Sequence, residues 1–403
     1  MEAVDLNLER IYQAAHVLKP VIRMTSLIRA ANMSSDCELH LKAENLQVTG
    51  AFKARGAYYR LSKLTPEEKT MGVVACSAGN HAQGVALAAN ESGVKSTIFV
   101  PSAAPISKIE TARSYGSDIR LVSGVYDDAY DAAIKYLEGS GSVFIHPFDD
   151  IDVIAGQGTI GLEILEQLPD VEAIVVPVGG GGLISGVAYA IKKLKPDCKV
   201  YGVQAAGAQS MVKSLKKKEL TELNHALTFA DGIAVKSPGK LTFSLCSDYV
   251  DDIVSVTDDE IATAILTLME KQKLVAEGAG AVSVAAVMFG KLPLEGKKTV
   301  SIVSGGNIDV NILSRVINRG LSTAGRLTEL KIELRDMPGQ LSAVASIVAS
   351  LGANVVKVRH DPSGENSDIN SCFLHVSMET KNHQHLLEIR DASSKAGYKI
   401  LSD

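Results

Sequence analysis

Four short stretches carry residue types that could do chemistry together. In Thr49-Gly50-Ala51-Phe52-Lys53-Ala54-Arg55-Gly56-Ala57 a lysine stands at the threshold of a helix, with an aromatic before it and small residues around it. A lysine so placed can lie inside a pocket, where loss of hydration lowers its pKa and frees the amine as a nucleophile towards carbonyl groups. Taken alone, the stretch is more simply a solvated lysine on an amphipathic helix. The other three stretches weigh against that. Ser77-Ala78-Gly79-Asn80-His81 follows the apolar run Val73–Cys76 and opens a helix. Asn80 offers both a donor and an acceptor, suited to a phenolic oxygen, although the same residues could merely cap the helix.

Gly179-Gly180-Gly181-Gly182 follows an apolar run ending at Val178. Backbone N–H groups bared at a helix start make an anion site suited to phosphate. No Lys-Ser/Thr pair follows, so this is not a P-loop. Nor is it the Gly-x-Gly-x-x-Gly dinucleotide fingerprint, since Gln204 stands where that motif needs an acid. Ser304-Gly305-Gly306-Asn307 follows another apolar run. On its own it reads as a turn, but beside the glycine run it could turn a neutral hydroxyl towards a ring nitrogen. A Schiff-base lysine, an oxygen partner, a phosphate cradle and a ring-nitrogen partner together describe a pocket for pyridoxal phosphate.

These loops must be held by strands and helices. Apolar runs at 73–76, 97–100, 119–122 and 143–145 alternate with helical patterns at 81–92, 105–115 and 126–138, the signature of βαβ crossovers on a parallel sheet. A second series has a helix from 157 to 168, strands at 173–178 and 200–203, and a helix from Leu183. Further strands fall at 253–256 and 299–303, with helices at 258–273 and 278–289. Ligands in such sheets sit at the carboxyl ends of strands, so two open α/β lobes facing one cleft are expected. Residues 318–328 read as a small, polar linker. Beyond it a βαββα pattern predicts a compact α+β unit with both helices on one sheet face.

The bulk properties are those of a soluble globular protein. A chain of 403 residues suggests two or three domains, and 46% hydrophobic with 22% charged residues are globular values. A net charge of −5 gives no basic footprint for nucleic acid or anionic membranes. The cysteines Cys37, Cys76, Cys198, Cys246 and Cys372 are scattered and lack metal-type spacing, so reduced thiols in a cytoplasmic protein and no metal are expected. No secretory signal is visible. The uncharged stretch 173–191 contains Pro177 and four glycines, and reads as strand, loop and helix start, not as a membrane span.

With all four motifs in this order and spacing, residues 1 to about 320 resemble the threonine dehydratases (threonine ammonia-lyases) of the tryptophan-synthase-β-like, fold type II pyridoxal phosphate enzymes. The C-terminal Asp336-Met337-Pro338-Gly339-Gln340-Leu341 is similar to the start of an ACT domain, a small regulatory fold. The resemblance implies a catalytic domain over 1–320 with a smaller lobe from about 48 to 150, a linker at 321–328, and an ACT-like domain over 329–403. It implies that Lys53 holds the cofactor as a Schiff base and moves the substrate Cα proton. Phe52 would lie against the ring, Asn80 would meet the ring oxygen, and Ser304 the ring nitrogen. Gly179, Gly180, Gly181, Gly182 and the Leu183 backbone would hold the phosphate. Ser77, Ala78, Gly79, Asn80 and His81 would grip the substrate carboxylate, mostly through backbone N–H groups. Met337, Pro338, Gly339, Gln340 and Leu341 would contact an amino-acid or nucleotide effector, and a homodimer or homotetramer is expected.

The sequence also departs from relatives. Ala51 stands where many carry Ser. Ala78 stands where serine racemases of this fold carry a Ser that reprotonates the opposite face of Cα, which favours elimination. Gln204 falls near their cation-binding acid, which puts that site in doubt. Glu277 lies where relatives place an acid near the pocket, its role open. The implied reaction converts L-threonine to 2-oxobutanoate and ammonia, and L-serine to pyruvate, in isoleucine biosynthesis or threonine catabolism. The rivals are serine racemase, threonine synthase or cysteine synthase, and, more distantly, a non-catalytic amino-acid sensor.

Overall fold

The computed structural model describes residues 6–104, 106–361 and 370–401. They form two compact units, divided between Val310 and Asn311. The first opens with α1 (Leu8–Leu18), β1 (Leu27–Arg29), β2 (Glu38–Lys42), α2 (Lys53–Ser62) and α3 (Pro66–Met71). Then come β3 (Val73–Cys76), α4 (Asn80–Glu91), β4 (Ser96–Pro101), α5 (Ile106–Ser114), β5 (Asp118–Val122), α6 (Tyr126–Ser140) and β6 (Val143–Phe144). The chain continues through α7 (Ile151–Gln167), β7 (Ala173–Pro177), α8 (Gly182–Leu194), β8 (Lys199–Ala205), α9 (Ser210–Lys217) and α10 (Lys240–Tyr249). It closes with β9 (Asp252–Val256), α11 (Asp258–Thr267), α12 (Gly278–Met288) and β10 (Lys298–Ile302).

Two sheets result. The larger runs β1-β2-β10-β7-β8-β9, parallel except for the β1–β2 pair. The smaller runs β5-β4-β3-β6 and is parallel throughout. Strand β7 (Ala-Ile-Val-Val-Pro) is buried at every position, as a central strand covered on both faces must be. Helix α12 is buried from Gly278 to Val287 and apolar all round, so it runs through the interior. Helices α2 and α7 cross closely because both carry glycine at the contact. A Cβ on Gly56 would stand 2.7 Å from the Val153 carbonyl, and one on Gly156 would stand 2.7 Å from the Gly56 Cα. This crossing fixes the helix that begins with Lys53.

Several expectations need correction. Helix α7 starts at Ile151, not 157, because the Asp150 carboxylate caps it through the N–H groups of Asp152 and Val153. The helix expected over 258–273 is α-helical to Thr267, then widens into a π turn over Leu268–Gln272. Helices α9 and α10 were not foreseen. Pro105, where a helix was expected to start, lies outside the described residues.

The 321–328 linker is replaced largely by regular structure. A helix, α13 (Val310–Thr323), runs to within three residues of a strand, β11 (Leu327–Arg335). The small polar residues that suggested a linker lie on its exposed side. Ile312, Leu313, Val316, Ile317, Gly320 and Leu321 recur at helical spacing on the shielded side. The second unit continues with α14 (Gln340–Ser350), β12 (Asn354–Asp361), β13 (Ser371–Glu379), α15 (His383–Lys395) and β14 (Lys399–Leu401). Its antiparallel sheet has the order β12-β13-β11-β14. The expected βαββα thus gains a sixth element, a three-residue strand too short to read, which is held by pairing of Lys399–Leu401 with β11.

Candidate active site

The loops after β3, β7 and β10 all leave the carboxyl ends of parallel strands and line one cavity of about 860 Å3. Phe52, Lys53, Ser77, Ala78, Gly79, Asn80, His81, Gly179, Gly180, Gly181, Gly182, Leu183 and Ser304 all reach it. The residues expected to hold cofactor or substrate are therefore brought together.

Lys53 is the first residue of α2, and its placement is over-determined. The Phe52 N–H donates to the Ser304 carbonyl at 3.1 Å and Gly306 N–H to the Gly50 carbonyl at 2.9 Å. Asn307 Nδ2 donates to the Thr49 carbonyl at 2.6 Å, with Thr49 in the left-handed region at φ 63°. The entry to the lysine helix is thus stitched to the loop that carries Ser304. Lys53 Nζ donates to the Pro147 carbonyl at 2.6 Å and stands 5.2 Å from the centre of the Phe52 ring. Burial lowers its pKa to about 8, partly opposed by the negative charge of Glu277. About a tenth of the amine is then neutral at pH 7.

Asn80 is held from both ends. Its Nδ2 donates to Glu277 Oε1 at 2.5 Å and its Oδ1 accepts from Asn307 Nδ2 at 2.8 Å. Glu277 is buried at the start of α12, between the Asn80 amide and the Ser304 loop. Asn307, which the motif alone gives no role, joins the lysine, asparagine and serine loops. The His81 ring is tied to the backbone. Its Nε2 meets the Ile145 carbonyl at 2.8 Å, which only accepts, so Nε2 carries the proton. Burial first, then the Lys53 charge, push its pKa down to about 3, which keeps it neutral.

The glycine run is shaped by contacts that no side chain could share. A Cβ on Gly180 would enter the Phe148 ring, and one on Gly182 would stand 2.9 Å from the Phe148 backbone. Gly181 has φ +100°, and its Cβ would meet Met211 Cε at 2.7 Å and Thr242 Cβ at 2.8 Å. The first turn of α8 leaves N–H groups there without intrahelical acceptors. Thr242 Oγ1 holds the loop through the Gly180 carbonyl at 2.6 Å. Asp149 in turn caps α10 through the N–H groups of Lys240, Leu241 and Thr242. His146, Pro147, Phe148 and Asp149 were missed, though they follow strand β6, where the strand-end rule points. Gln204 is structural: its amide spans the Val178 carbonyl at 3.3 Å and the Val212 N–H at 3.0 Å.

Comparison with known proteins decides the family. Residues 18–305 match the family described as pyridoxal-phosphate dependent enzyme. The chain belongs to that family. An L-threonine ammonia-lyase of Thermotoga maritima is 50% identical over 397 residues, covering 98% of this chain and 99% of that one. Among solved structures, the processed threonine deaminase isoform 2 of Solanum lycopersicum has a TM-score of 0.74 at 38% identity, covering 77% and 87% of the two chains. Maize serine racemase has a TM-score of 0.74 at 34% identity, covering 79% and 98%. The fold alone therefore does not separate lyase from racemase.

As a member of this family the protein uses pyridoxal phosphate, joined to a lysine as a Schiff base. The cavity fits that group. It offers a desolvated amine and a cradle whose floor is bare backbone, kept open because any Cβ at Gly180, Gly181 or Gly182 would collide. Ser304, 3% exposed, bears a hydroxyl whose long 3.3 Å bond to the Ala279 carbonyl leaves it free to turn to a ring atom. The five proposed effector residues, Met337 to Leu341, lie in the second unit at the turn into α14, with Met337 and Leu341 exposed. Among the described residues no helix is long and apolar enough to cross a membrane.

Proposed function

We propose that this chain is an L-threonine ammonia-lyase that also accepts L-serine. The reading is carried by a desolvated Lys53 amine sharing one cavity with a glycine anion cradle. The chain around that cavity is half identical, end to end, to a protein named for that reaction.

The cofactor, when bound, supplies the electrophilic carbon and the electron-withdrawing ring that make the substrate Cα proton acidic. Gly179, Gly180, Gly181, Gly182 and Leu183 would hold its phosphate through backbone N–H groups. Asn80 would meet the ring oxygen, Ser304 the ring nitrogen, and Phe52 the ring face. Lys53 would hold the cofactor and would exchange the substrate Cα proton. Its pKa of about 8 suits that exchange at neutral pH. The N–H groups of Ser77 to His81 would receive the substrate carboxylate. Glu277 and Asn307 fix the Asn80 amide, so one face of the site keeps its donor and acceptor order throughout. Loss of the β-hydroxyl as water leaves an enamine, and its imine form takes up water to give ammonia and a 2-oxo acid. Ala78 offers no exchangeable proton on the opposite face, which favours this lyase reading over racemisation. An amino-acid or nucleotide effector at Met337–Leu341 and subunit pairing along the β12 edge, where Val356 is exposed, complete the proposal.

The test is to measure ammonia and 2-oxo acid from L-threonine and L-serine, with and without isoleucine, valine and AMP. Production of D-serine without keto acid would establish the racemase instead. Amino-acid binding with no ammonia release would establish a sensor.

A further inference from the structure

The second unit gathers three ligand-type side chains that the sequence scatters over 37 positions, 336 to 372. Asp336 follows β11, His360 lies near the end of β12, and Cys372 near the start of β13. The register explains their meeting. Cys372 pairs with Leu334, and Leu374 pairs with His360. Directly opposed residues share a face, as do residues two apart on a strand, so all three belong to one end of one face. A ligand atom from each lies within 4.8 Å of the other two. His360 Nε2 is 4.0 Å from Asp336 Oδ1. The thiol forms a floor, 2% exposed, while the carboxylate and imidazole stand exposed at the rim. The Asp336 N–H donates to the Asn370 carbonyl at 2.8 Å, tying the turn after β11 to the approach to β13.

We propose that Asp336, His360 and Cys372 form a site for a divalent transition metal of the zinc class, with a fourth position open to solvent or to a small ligand. Zinc bonds of about 2.3 Å to sulfur and about 2.0–2.2 Å to nitrogen and oxygen set tetrahedral edges of about 3.3–3.8 Å. The three groups must therefore close by up to about 1.5 Å, a movement the two exposed side chains can make by rotation. A set of one sulfur, one nitrogen and one oxygen donor is too soft for magnesium or calcium and suits zinc or cobalt. On binding, the Cys372 S–H bond breaks, its proton leaves to solvent, and a sulfur–metal bond forms from the thiolate pair. Thiolate and carboxylate then balance the two positive charges. The site lies within the second unit and does not depend on the lyase reading.

The probe is Co2+, titrated into the chelator-treated, full-length holoenzyme, with the spectrum read as a difference from the cobalt-free holoenzyme. The expected result is one equivalent bound, a thiolate-to-cobalt charge-transfer band in the near ultraviolet, and the intense visible bands of tetrahedral cobalt, all removed by added Zn2+. Cys372→Ser should abolish the charge-transfer band, and Cys37→Ser should leave it intact. His360→Ala and Asp336→Asn, both at exposed positions that tolerate change, should weaken binding by at least about tenfold. They carry the test should Cys372→Ser disturb the core. No charge-transfer band up to about 1 mM cobalt, or unchanged affinity in both rim variants, overturns the proposal. So does a band that survives Cys372→Ser.

Discussion

Arg55 lies two residues beyond Lys53 and is fully buried, which makes it the most informative side chain to remove. It donates to Glu44 at 2.8 Å from both Nε and Nη2, to Glu163 at 2.6 and 3.0 Å, and to Thr159 at 3.1 Å. Lys42, also fully buried, donates to Glu163 at 2.6 Å, so two cations face two carboxylates and the cluster is neutral. Arg55→Met keeps much of the volume but leaves Glu44 with only the Thr25 hydroxyl at 2.5 Å as a hydrogen-bond partner from this cluster. Stranding a buried charge in this way costs about 3–5 kcal/mol. At about 2–4 °C per kcal/mol, the unfolding midpoint should fall by about 10 °C. The chain has no tryptophan, so the transition is best followed by cofactor absorbance, which reports on the first unit, together with far-ultraviolet circular dichroism.

The pH dependence checks the cause. Burial alone would raise the Glu44 pKa, but the charge and hydrogen bonds of Arg55, together with the Thr25 hydroxyl and the Lys42 charge, outweigh it and hold the carboxyl below its ordinary value. A depressed folded pKa stabilises above the unfolded value and is lost as pH falls through the folded one. Without Arg55, burial dominates and the folded pKa rises. The penalty is then full at neutral pH and relieved by protonation on acidification. The gap between wild type and variant should therefore narrow between about pH 7 and about pH 5. A midpoint change below about 2 °C, or a gap that widens on acidification, would refute the reasoning.

Other outcomes follow from the same site. Lys53→Ala should abolish both turnover of L-threonine and the visible absorption of the bound cofactor, and retained turnover excludes the scheme. Because the Lys53 pKa is about 8 and only the neutral amine attacks, capture of pyridoxal phosphate by the apoenzyme should quicken about tenfold from pH 7 to pH 9. Stopped-flow absorbance measures this, and a rate that falls with pH contradicts it. Gly181→Ala meets both a left-handed φ and the Met211 and Thr242 side chains. At a cost of about 1–3 kcal/mol it should raise the cofactor dissociation constant about 5- to 150-fold, and an unchanged value in equilibrium dialysis would remove the cradle from the argument. Ala78→Ser should produce measurable D-serine from L-serine; no D-serine means that this face is not controlled at position 78.

Much of the site was legible because its parts are local. Lys53, the loop at 77–81, the four glycines and Ser304 each announce themselves by a few residues after an apolar strand. What stayed hidden is what only the assembled sheets bring about. Asn307 was a letter in a motif until three loops met on its amide. Phe148 and Asp149 had no pattern of their own, yet one shapes the glycine loop and the other caps the helix that steadies it. The 321–328 stretch misleads for the opposite reason: its composition is that of a linker, while the apolar spacing through Leu321 specifies a helix. His81 shows the limit of motif reading, since a histidine in the 77–81 loop is spent on a backbone carbonyl.

The stitching of residues 49–52 to 304–307 has a consequence for how the protein is made. During synthesis the reactive amine emerges early, while the segment that seats it is still some 250 residues from being translated. A chain halted before Ser304 lacks the partners that fix residues 49–52, so the niche around Lys53 cannot be completed until that segment is made.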